Sequence, residues 1–358
     1  MNSFPTRSSS RAVAYWILLG VIMLVVQVIL GGITRLTGSG LSITEWNIAT
    51  GILPPLNQQQ WITEFDKYKQ TPQFHLLNSG FGLPDFKFIF FWEWFHRLWA
   101  RLVGVVFLIG FVWLLLKKEL KQEMIRPLLI LFLLGALQGA VGWIMVMSGL
   151  SGDAIYVKPT RLALHFIFAL GLICYAFWFG LELLIPKQQI MYNKNMRGWI
   201  WTILIVLFFQ LIFGALMAGH KAAASAPTWP TINGDWFPSS IFKESPWILN
   251  FIDNPITVHF VHRTLAYLLF IVVCIWLVKV YRLQSFTGYL LKTRWIPFAL
   301  IFLQIILGVA TVLTSPGIIP NHWVFFDWLA QLHQLTGMLF LLSMLFMLYL
   351  IRTKSARV

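Results

Sequence analysis

Long apolar runs alternate with short polar segments along the whole chain. Runs of about twenty apolar residues, enough to cross roughly 30 Å of hydrocarbon as helix, occur near residues 12–31, 96–116, 127–147, 160–184, 199–219, 258–281, 294–314 and 328–351. The pattern predicts an all-α polytopic membrane protein with eight transmembrane helices, the first of them uncleaved. Composition supports this class, because 58% of the residues are hydrophobic and only 11% are charged.

Basic residues are concentrated in every second connection and at both ends of the chain. They are Arg7, Arg11, Lys117, Lys118, Lys121, Arg126, Lys187, Lys194, Arg197, Lys279, Arg282, Lys292, Arg294, Arg352, Lys354 and Arg357. The alternate side keeps the long loops 32–95 and 220–257, and loop 315–327 has no Lys or Arg. The positive-inside rule therefore predicts that both termini are cytoplasmic. These clusters explain most of the net charge of +14 and indicate anionic lipid as a partner, not nucleic acid.

The two halves of the chain repeat one another. Gln27, Gly31, Trp46, Gly51 and Pro55 recur 183 residues later as Gln210, Gly214, Trp229, Gly234 and Pro238. His96, Arg97, Gln138 and Gly142 recur 166 residues later as His262, Arg263, Gln304 and Gly308, and His165 recurs as His333. The change of offset makes the first long outer loop about seventeen residues longer than the second. We expect two pseudo-symmetric four-helix bundles related as parallel repeats, residues 1–190 and 191–358.

Four of the eight histidines belong to the repeated set: His96, His165, His262 and His333. Each falls near the outer start of an even-numbered helix, which places two imidazoles at similar depth in each bundle. Two histidines on facing helices suit heme iron. A closed zinc site would need a third or fourth donor, and the apolar neighbours of the histidines favour a macrocycle over zinc.

Other polar residues in the predicted helices are candidates for holding the same group. Glutamine stands four residues before glycine in all four outward-running helices, at Gln27, Gln138, Gln210 and Gln304. This spacing predicts either a flat group lying on the backbone beside an amide, or close helix packing. Arg97, Arg161 and Arg263 are candidates for binding heme propionates, or they snorkel to the lipid headgroups.

Glu93 is the main residue that breaks the repeat. It precedes His96 by three residues and shares its helical face, whereas His259 occupies the matching position before His262. A carboxylate in an apolar pocket suits proton transfer, although an exposed interfacial Glu would fit the same position. For His259 we expect a role in packing or in proton or electron flow. Cys174 and Cys274 fall within predicted helices, where we expect them to pack.

Several segments resemble the heme A synthase family: "GGITRLTGSGLSITEW" (31–46), Glu93-x-x-His96-Arg97, "KPTRLALHF" (158–166), "TWPTINGDWFP" (228–238), "VHRTLAY" (261–267) and "QLHQLTG" (331–337). The resemblance covers essentially the whole chain. The sequence lacks the outer-loop cysteine pairs of Bacillus-type members, which fits the proteobacterial and mitochondrial type. The lack of a long presequence favours a bacterial protein, for which we expect the inner membrane.

The resemblance implies a division of labour between the halves. His262 and His333 would hold heme b, and His96 and His165 would receive heme o. The C8 methyl group of heme o would become a formyl group, giving heme a for terminal oxidase assembly. Because an iron held by two histidines has no open position for dioxygen, either His96 or His165 leaves the iron during turnover or water supplies the oxygen, and we expect water. Glu93 matches the catalytic glutamate of the family. Heme O synthase, cytochrome oxidase assembly factors and an unidentified electron carrier would be partners.

Two other functions share parts of this pattern. A diheme b-type cytochrome exchanging electrons with quinone would also use four histidines, although it would not need Glu93 in one half alone. A transporter could have parallel repeats with polar groups in the membrane, but here those groups cluster toward one membrane face.

Overall fold

The computed structural model describes residues 7–45, 50–319 and 322–353. Thirteen α-helices form this part of the chain: α1 (Arg7–Leu36), α2 (Gln58–Lys69), α3 (Pro72–Leu77), α4 (Leu83–Leu116), α5 (Gln122–Met147), α6 (Pro159–Leu184), α7 (Lys194–Gly219), α8 (Ala222–Ser225), α9 (Asn250–Asp253), α10 (Pro255–Tyr281), α11 (Gly288–Thr293), α12 (Ile296–Thr314) and α13 (Phe325–Leu350). Two short strands, β1 (Met191–Tyr192) and β2 (Ile351–Arg352), pair in parallel. Trp46, Lys354 and Arg357 lie outside the described residues.

Eight of these helical segments are long and apolar enough to cross a membrane, which confirms the predicted multi-pass architecture. The second begins earlier than expected, at Leu83 and not near residue 96. Pro84 stands in its first turn, and the Asp85 carboxylate accepts a hydrogen bond from the Gly82 N–H at 2.9 Å. His96 therefore lies well inside α4, not in its first turns, and much of the predicted loop 32–95 is helical.

A cap, residues 50–95, is built on the extended start of α4. Helices α2 and α3 pack there around a buried apolar cluster of Phe65, Tyr68, Phe86, Ile89 and Phe90. The Tyr68 hydroxyl donates to Gln73 Oε1 at 3.0 Å and accepts from Asn78 Nδ2 at 2.7 Å. The seventeen additional residues of the first half fall between Pro55 and His96, so the cap is where the insertion lies.

Tyr68 provides a test of the cap at alkaline pH. Burial raises the pKa of its phenol to about 12, compared with an ordinary value near 10. The neutral phenol is thus favoured in the fold, and its stabilisation is complete below about pH 10 and is lost as pH rises through the folded pKa. We expect the tyrosinate absorbance of the wild type, minus that of Tyr68→Phe, to rise near pH 12. A difference that rises near pH 10 would contradict a closed cap.

Two apolar cores fill the membrane-spanning part. One is formed mainly by α1, α5 and α6, and the other by α7, α10, α12 and α13. The halves meet where α6 packs against α7 and α13, and where α1 packs against α13. Cys174 and Cys274 are free thiols on α6 and α10 and are partly buried, as expected for packing residues.

Strands β1 and β2 close the end of the protein opposite the cap. Met191 pairs with Ile351 and Tyr192 with Arg352. Arg197 in α7 donates to the carbonyl oxygens of Leu348 and Ile351, at 3.2 and 2.9 Å. The residue that follows the last long helix is thereby tied to the segment preceding α7.

Candidate functional site

Each of the four repeated histidines lies against the glutamine of a neighbouring helix. The Gln27 Nε2 atom is 3.2 Å from His96 Nδ1, and Gln138 Nε2 is 3.2 Å from His165 Nδ1. In the second half, Gln210 Nε2 and Gln304 Nε2 are each 3.3 Å from the Nε2 atoms of His262 and His333. The helix pairs are α1 with α4, α5 with α6, α7 with α10, and α12 with α13.

The glycine one turn after each glutamine makes room for the imidazole. A Cβ atom at Gly31 would lie 3.1 Å from Cε1 of His96, and one at Gly142 would lie 2.8 Å from Cε1 of His165. At Gly214 and Gly308 the distances to His262 and His333 would be 3.2 and 2.9 Å. Contacts near 3 Å are too short for a side chain, so the flat group on the backbone is the histidine ring. We call each Gln-x-x-x-Gly segment a histidine seat.

The histidine seats bring the rings together in pairs. The ring centres of His262 and His333 are 6.3 Å apart, with 72° between their planes. Two imidazoles on opposite sides of one metal ion have ring centres about 6 Å apart. Each metal–nitrogen bond is about 2 Å long, and each ring centre lies beyond its nitrogen. His96 and His165 are the corresponding histidines of the first half by the repeat.

The hydrogen bonding of His333 suits metal ligation through one defined nitrogen. Its Nδ1 lies 3.1 Å from the carbonyl oxygen of Gln304. A proton on Nδ1 would be held by that carbonyl, so the lone pair would lie on Nε2. That nitrogen contacts Gln304 Nε2 in this structure, and a metal would take the place of this contact. Within residues 7–45, 50–319 and 322–353, three or more His, Cys, Asp or Glu side chains do not gather as a metal site. The candidate donors are thus the repeated histidines, two in each half.

Glu93, Arg97 and residues 42–45 form a hydrogen-bonded cluster beside the first histidine pair. We call this cluster a clasp. The Glu93 side chain is only 2% exposed. Its Oε1 accepts from Arg97 Nη2 at 2.6 Å, and its Oε2 accepts from the Ser42 hydroxyl at 2.7 Å and from the Ile43 N–H at 2.9 Å. Arg97 also donates to the carbonyls of Ile43 and Glu45. Segment 42–45 is thereby fixed to α4.

A matching clasp exists in the second half, with histidine in place of the carboxylate. The Arg263 Nε donates to His259 Nε2 at 2.9 Å, and its Nη2 donates to the carbonyls of Ala226 and Thr228. Ala226 and Thr228 are the residues 183 positions after Ile43 and Glu45. The arginine contacts of the clasp therefore recur, and His259 has the place of Glu93.

The arginines expected at the propionates are placed differently from one another. Arg97 and Arg263 are part of the clasps, whereas Arg161 is exposed at the start of α6. The clasp partner Ser42 was missed by the sequence reasoning. Its recurrence as Ser225, at the same offset of 183, is the signal that would have found it.

A cleft of about 400 Å³ lies next to the first clasp. Its apolar wall includes Leu53, Pro55 and Trp94, and Arg97 also lines it. Lys67 bridges the carboxylates of Glu45 and Glu64, at 2.9 Å from each. Hydrogen bonds from Glu64 and Glu45 raise the pKa of Lys67 above its ordinary value, which keeps this side of the cleft charged but internally paired.

Substitutions at His259 separate two ways of closing the second clasp. Glutamate can accept from Arg263 as Glu93 does from Arg97, so we expect His259→Glu to keep the thermal stability of the wild type in detergent. His259→Ala removes the partner of the Arg263 Nε atom and should cost about 1–3 kcal/mol. Limited proteolysis within residues 226–231 should be faster in His259→Ala alone; equal rates in all three proteins would contradict the clasp.

Comparisons with known proteins agree over most of the chain. Residues 14–345 match the protein family described as Cytochrome oxidase assembly protein. The chain is 42% identical to "Heme A synthase" of Bradyrhizobium diazoefficiens over 307 residues, covering 85% of this chain and 84% of that protein. It is 42% identical to "Heme A synthase" of Rhodopseudomonas palustris over 316 residues, with 88% and 84% covered, and 41% identical to that of Brucella suis over 309 residues, with 85% and 84% covered. The chain therefore belongs to the cytochrome oxidase assembly protein family.

Proposed function

We propose that this protein is a heme A synthase, an oxidoreductase that converts the C8 methyl group of heme o to the formyl group of heme a. The observation that carries the proposal is the difference between the two clasps. Because His259 completes the second clasp, a carboxylate is not required to hold the arginine and the outer loop. A carboxylate at Glu93 then has a further task, and it stands beside one histidine pair only.

The four seated histidines are proposed as the iron ligands. His96 and His165 would ligate the substrate heme, and His262 and His333 would ligate heme b. The spacing of 6.3 Å between the rings of His262 and His333 supports the second assignment. When bound there, heme b would supply one-electron redox chemistry. Gln27, Gln138, Gln210 and Gln304 would orient the imidazoles, and their buried Oε1 atoms have no hydrogen-bond partner within the described residues.

The arginines are proposed to hold carboxylates at the outer edge of each porphyrin. Arg97 and Arg263 are anchored to loop carbonyls beside their histidines, and Arg161 lies one turn before His165 on α6. Guanidinium groups fit carboxylates in a bidentate manner. Arg97 would then contact both the substrate and Glu93, which places the carboxylate near the edge of the substrate porphyrin.

Glu93 is proposed to act as the general base for water. The first oxidation adds the oxygen of water to the methyl carbon, and the second removes two hydrogen atoms from the resulting alcohol. Each oxidation releases two electrons and two protons. Glu93 would accept a proton from the attacking water and stabilise positive charge on the carbon. The electrons would pass to a membrane electron carrier by way of the second half of the protein. Ser42 and the Ile43 N–H hold one oxygen of Glu93 in place.

The location follows from the same proposal. The basic loops lie on the side of β1 and β2, and we place that side and both termini in the cytoplasm of a bacterium. The cap and both histidine pairs would face the outer side of the inner membrane. Heme O synthase and cytochrome oxidase assembly factors are proposed as neighbours in that membrane. The duplication supports two bundles divided at residues 190 and 191.

The test is co-expression with a source of heme o, followed by chromatography of the acid-extracted hemes. We expect heme a in addition to heme b. Heme b alone, with normal absorbance from bound heme, would instead favour a diheme cytochrome that exchanges electrons with quinone. A purified protein without any heme absorbance would contradict both functions.

A further inference from the structure

Two glutamines, Gln331 buried and Gln334 partly buried, join the halves of the protein where α1 meets α13. Gln331 Nε2 donates to the carbonyl of Ile29 at 3.2 Å, and Gln334 Nε2 donates to the carbonyl of Val28 at 3.1 Å. Gly32 makes room for them, because a Cβ atom there would collide with Gln331 Oε1 and would lie 3.0 Å from Gln334 Nε2. We call this contact the polar seam.

The polar seam lies between the two histidine pairs. On α1, Gln27 and Gly31 form the seat of His96, and the carbonyls of Val28 and Ile29 fall within the same turn. On α13, Gln331 and Gln334 stand on either side of His333 in sequence. A shift of α13 that moves His333 is therefore transmitted to the turn of α1 that seats His96.

The pseudo-equivalent contact between α6 and α7 is apolar. The repeat places Ala163 and Phe166 at the positions of Gln331 and Gln334, and Ala215 at the position of Gly32. Ala163 and Ala215 are buried in one cluster with Leu216 and Val258, and Phe166 packs against it. This apolar seam joins the helix of His165 to the helix that seats His262.

Holding the two halves together does not by itself explain why one seam is polar and the other apolar. The apolar seam packs the halves together without amides, whereas burying an amide in a membrane protein is unfavourable unless it is fully hydrogen-bonded. Gln331 is 8% exposed, and its Oε1 has no hydrogen-bond partner within the described residues. Hydrogen bonds from side-chain amides fix the relative position of membrane helices, because lipid provides no hydrophobic driving force for the association of those helices.

We propose that Gln331 and Gln334 are positioning residues that couple the two histidine pairs, so that a porphyrin bound by His262 and His333 raises the affinity of the His96 and His165 pair for its own porphyrin. The inference rests on the proposed function, since it assigns a porphyrin to each pair. By linkage, a porphyrin bound at the first pair must raise the affinity of the second pair for its porphyrin by the same factor.

The sharpest variant gives the polar seam the residues of the apolar one. It combines Gln331→Ala, Gln334→Phe and Gly32→Ala. Gly32→Ala alone should lower thermal stability, because the added Cβ meets both glutamine side chains. In the triple variant that cost should be largely removed, since the glutamines are gone. This non-additivity is measurable by a mutant cycle in detergent, and it tests the geometry before any ligand is added.

The coupling is measured with hemin as the probe. Full-length protein is titrated with its second pair loaded, and again as His262→Ala, and binding at the first pair is isolated by subtracting a His96→Ala titration. We expect the affinity to differ about tenfold between these states in the wild-type seam, within the usual range of allosteric coupling. With Gln331→Ala, Gln334→Phe and Gly32→Ala present, the affinities should be equal. Phe166→Leu, in the apolar seam, should retain the tenfold difference.

Two results would overturn the inference while leaving the proposed function intact: equal affinities in the wild-type seam, or an undiminished difference in the triple variant. If that variant does not fold, Gln334→Leu alone should reduce the difference severalfold, and an unchanged value would also overturn the inference. Failure of the proposed function would be seen separately, as a wild-type protein that binds hemin at neither pair or forms no heme a.

Discussion

Replacing Glu93 by alanine should stop formyl formation while leaving heme b in place. General base catalysis contributes about 10²- to 10⁴-fold, so we expect heme a to fall by at least about a hundredfold and heme o or its alcohol to accumulate. Heme b should remain, because His262 and His333 belong to the other half. The measurement is chromatography of extracted hemes after co-expression with a heme o source.

The isosteric control is Glu93→Gln. Its carboxamide oxygen can still accept from Arg97 or from Ser42, so the clasp is largely kept, but the group cannot accept a proton. We expect Glu93→Gln to be nearly as inactive as Glu93→Ala, with thermal stability closer to the wild type. Normal heme a yield from Glu93→Gln would refute the base and leave Glu93 with a structural role alone.

Closing a histidine seat should remove the heme that depends on it. In Gly142→Val, the new side chain would enter the space of His165, whose Cε1 lies 2.8 Å from the position of an added Cβ. We expect heme o to bind at least about tenfold more weakly and heme a formation to fall with it, while heme b stays bound. Pigment spectra of the purified variant, with and without added heme o, measure both effects.

A matched control lies three residues away on the same helix. Gly139 has no atom within 4 Å of an added Cβ, so Gly139→Val carries the same β-branched change in α5 without touching the seat. It should bind heme o as the wild type does. Equal loss in Gly139→Val and Gly142→Val would assign the effect to helix propensity and not to the imidazole.

Much of the fold was predictable because lipid imposes a simple pattern on a chain. Twenty-residue apolar runs predicted all eight spans, and fixed offsets identified the duplicated histidines. The start of α4 was not predictable from hydropathy, because Glu93, His96 and Arg97 resemble a polar helix boundary. The clasp with residues 42–45 satisfies Glu93 and Arg97, and Gln27 on α1 contacts His96. These are long-range contacts without a local sequence signal.

The candidate site was predicted in its members more than in its contacts. The spacing of glutamine and glycine indicated a flat group on the helix backbone, but spacing could not tell an imidazole from a porphyrin. Likewise, Arg97 could be placed beside Glu93 by helical spacing alone, whereas its bonds to loop carbonyls required the tertiary fold. Gln331 and Gln334 lie in a segment quoted for the family resemblance, yet only the packing of α13 on α1 gives them a partner.

The pairing of β1 with β2 brings the beginning of the second half of the chain next to the segment that follows its last long helix. Met191 lies beside Ile351, so the first residue of this unit meets the end of its last long helix although about 160 residues separate them. Such a unit is suited to circular permutation, with new termini in an outer loop and a short joint near residue 353. The connection through residues 185–190 then serves as a tether between the two halves, and two fragments divided there should be able to assemble when they are produced together.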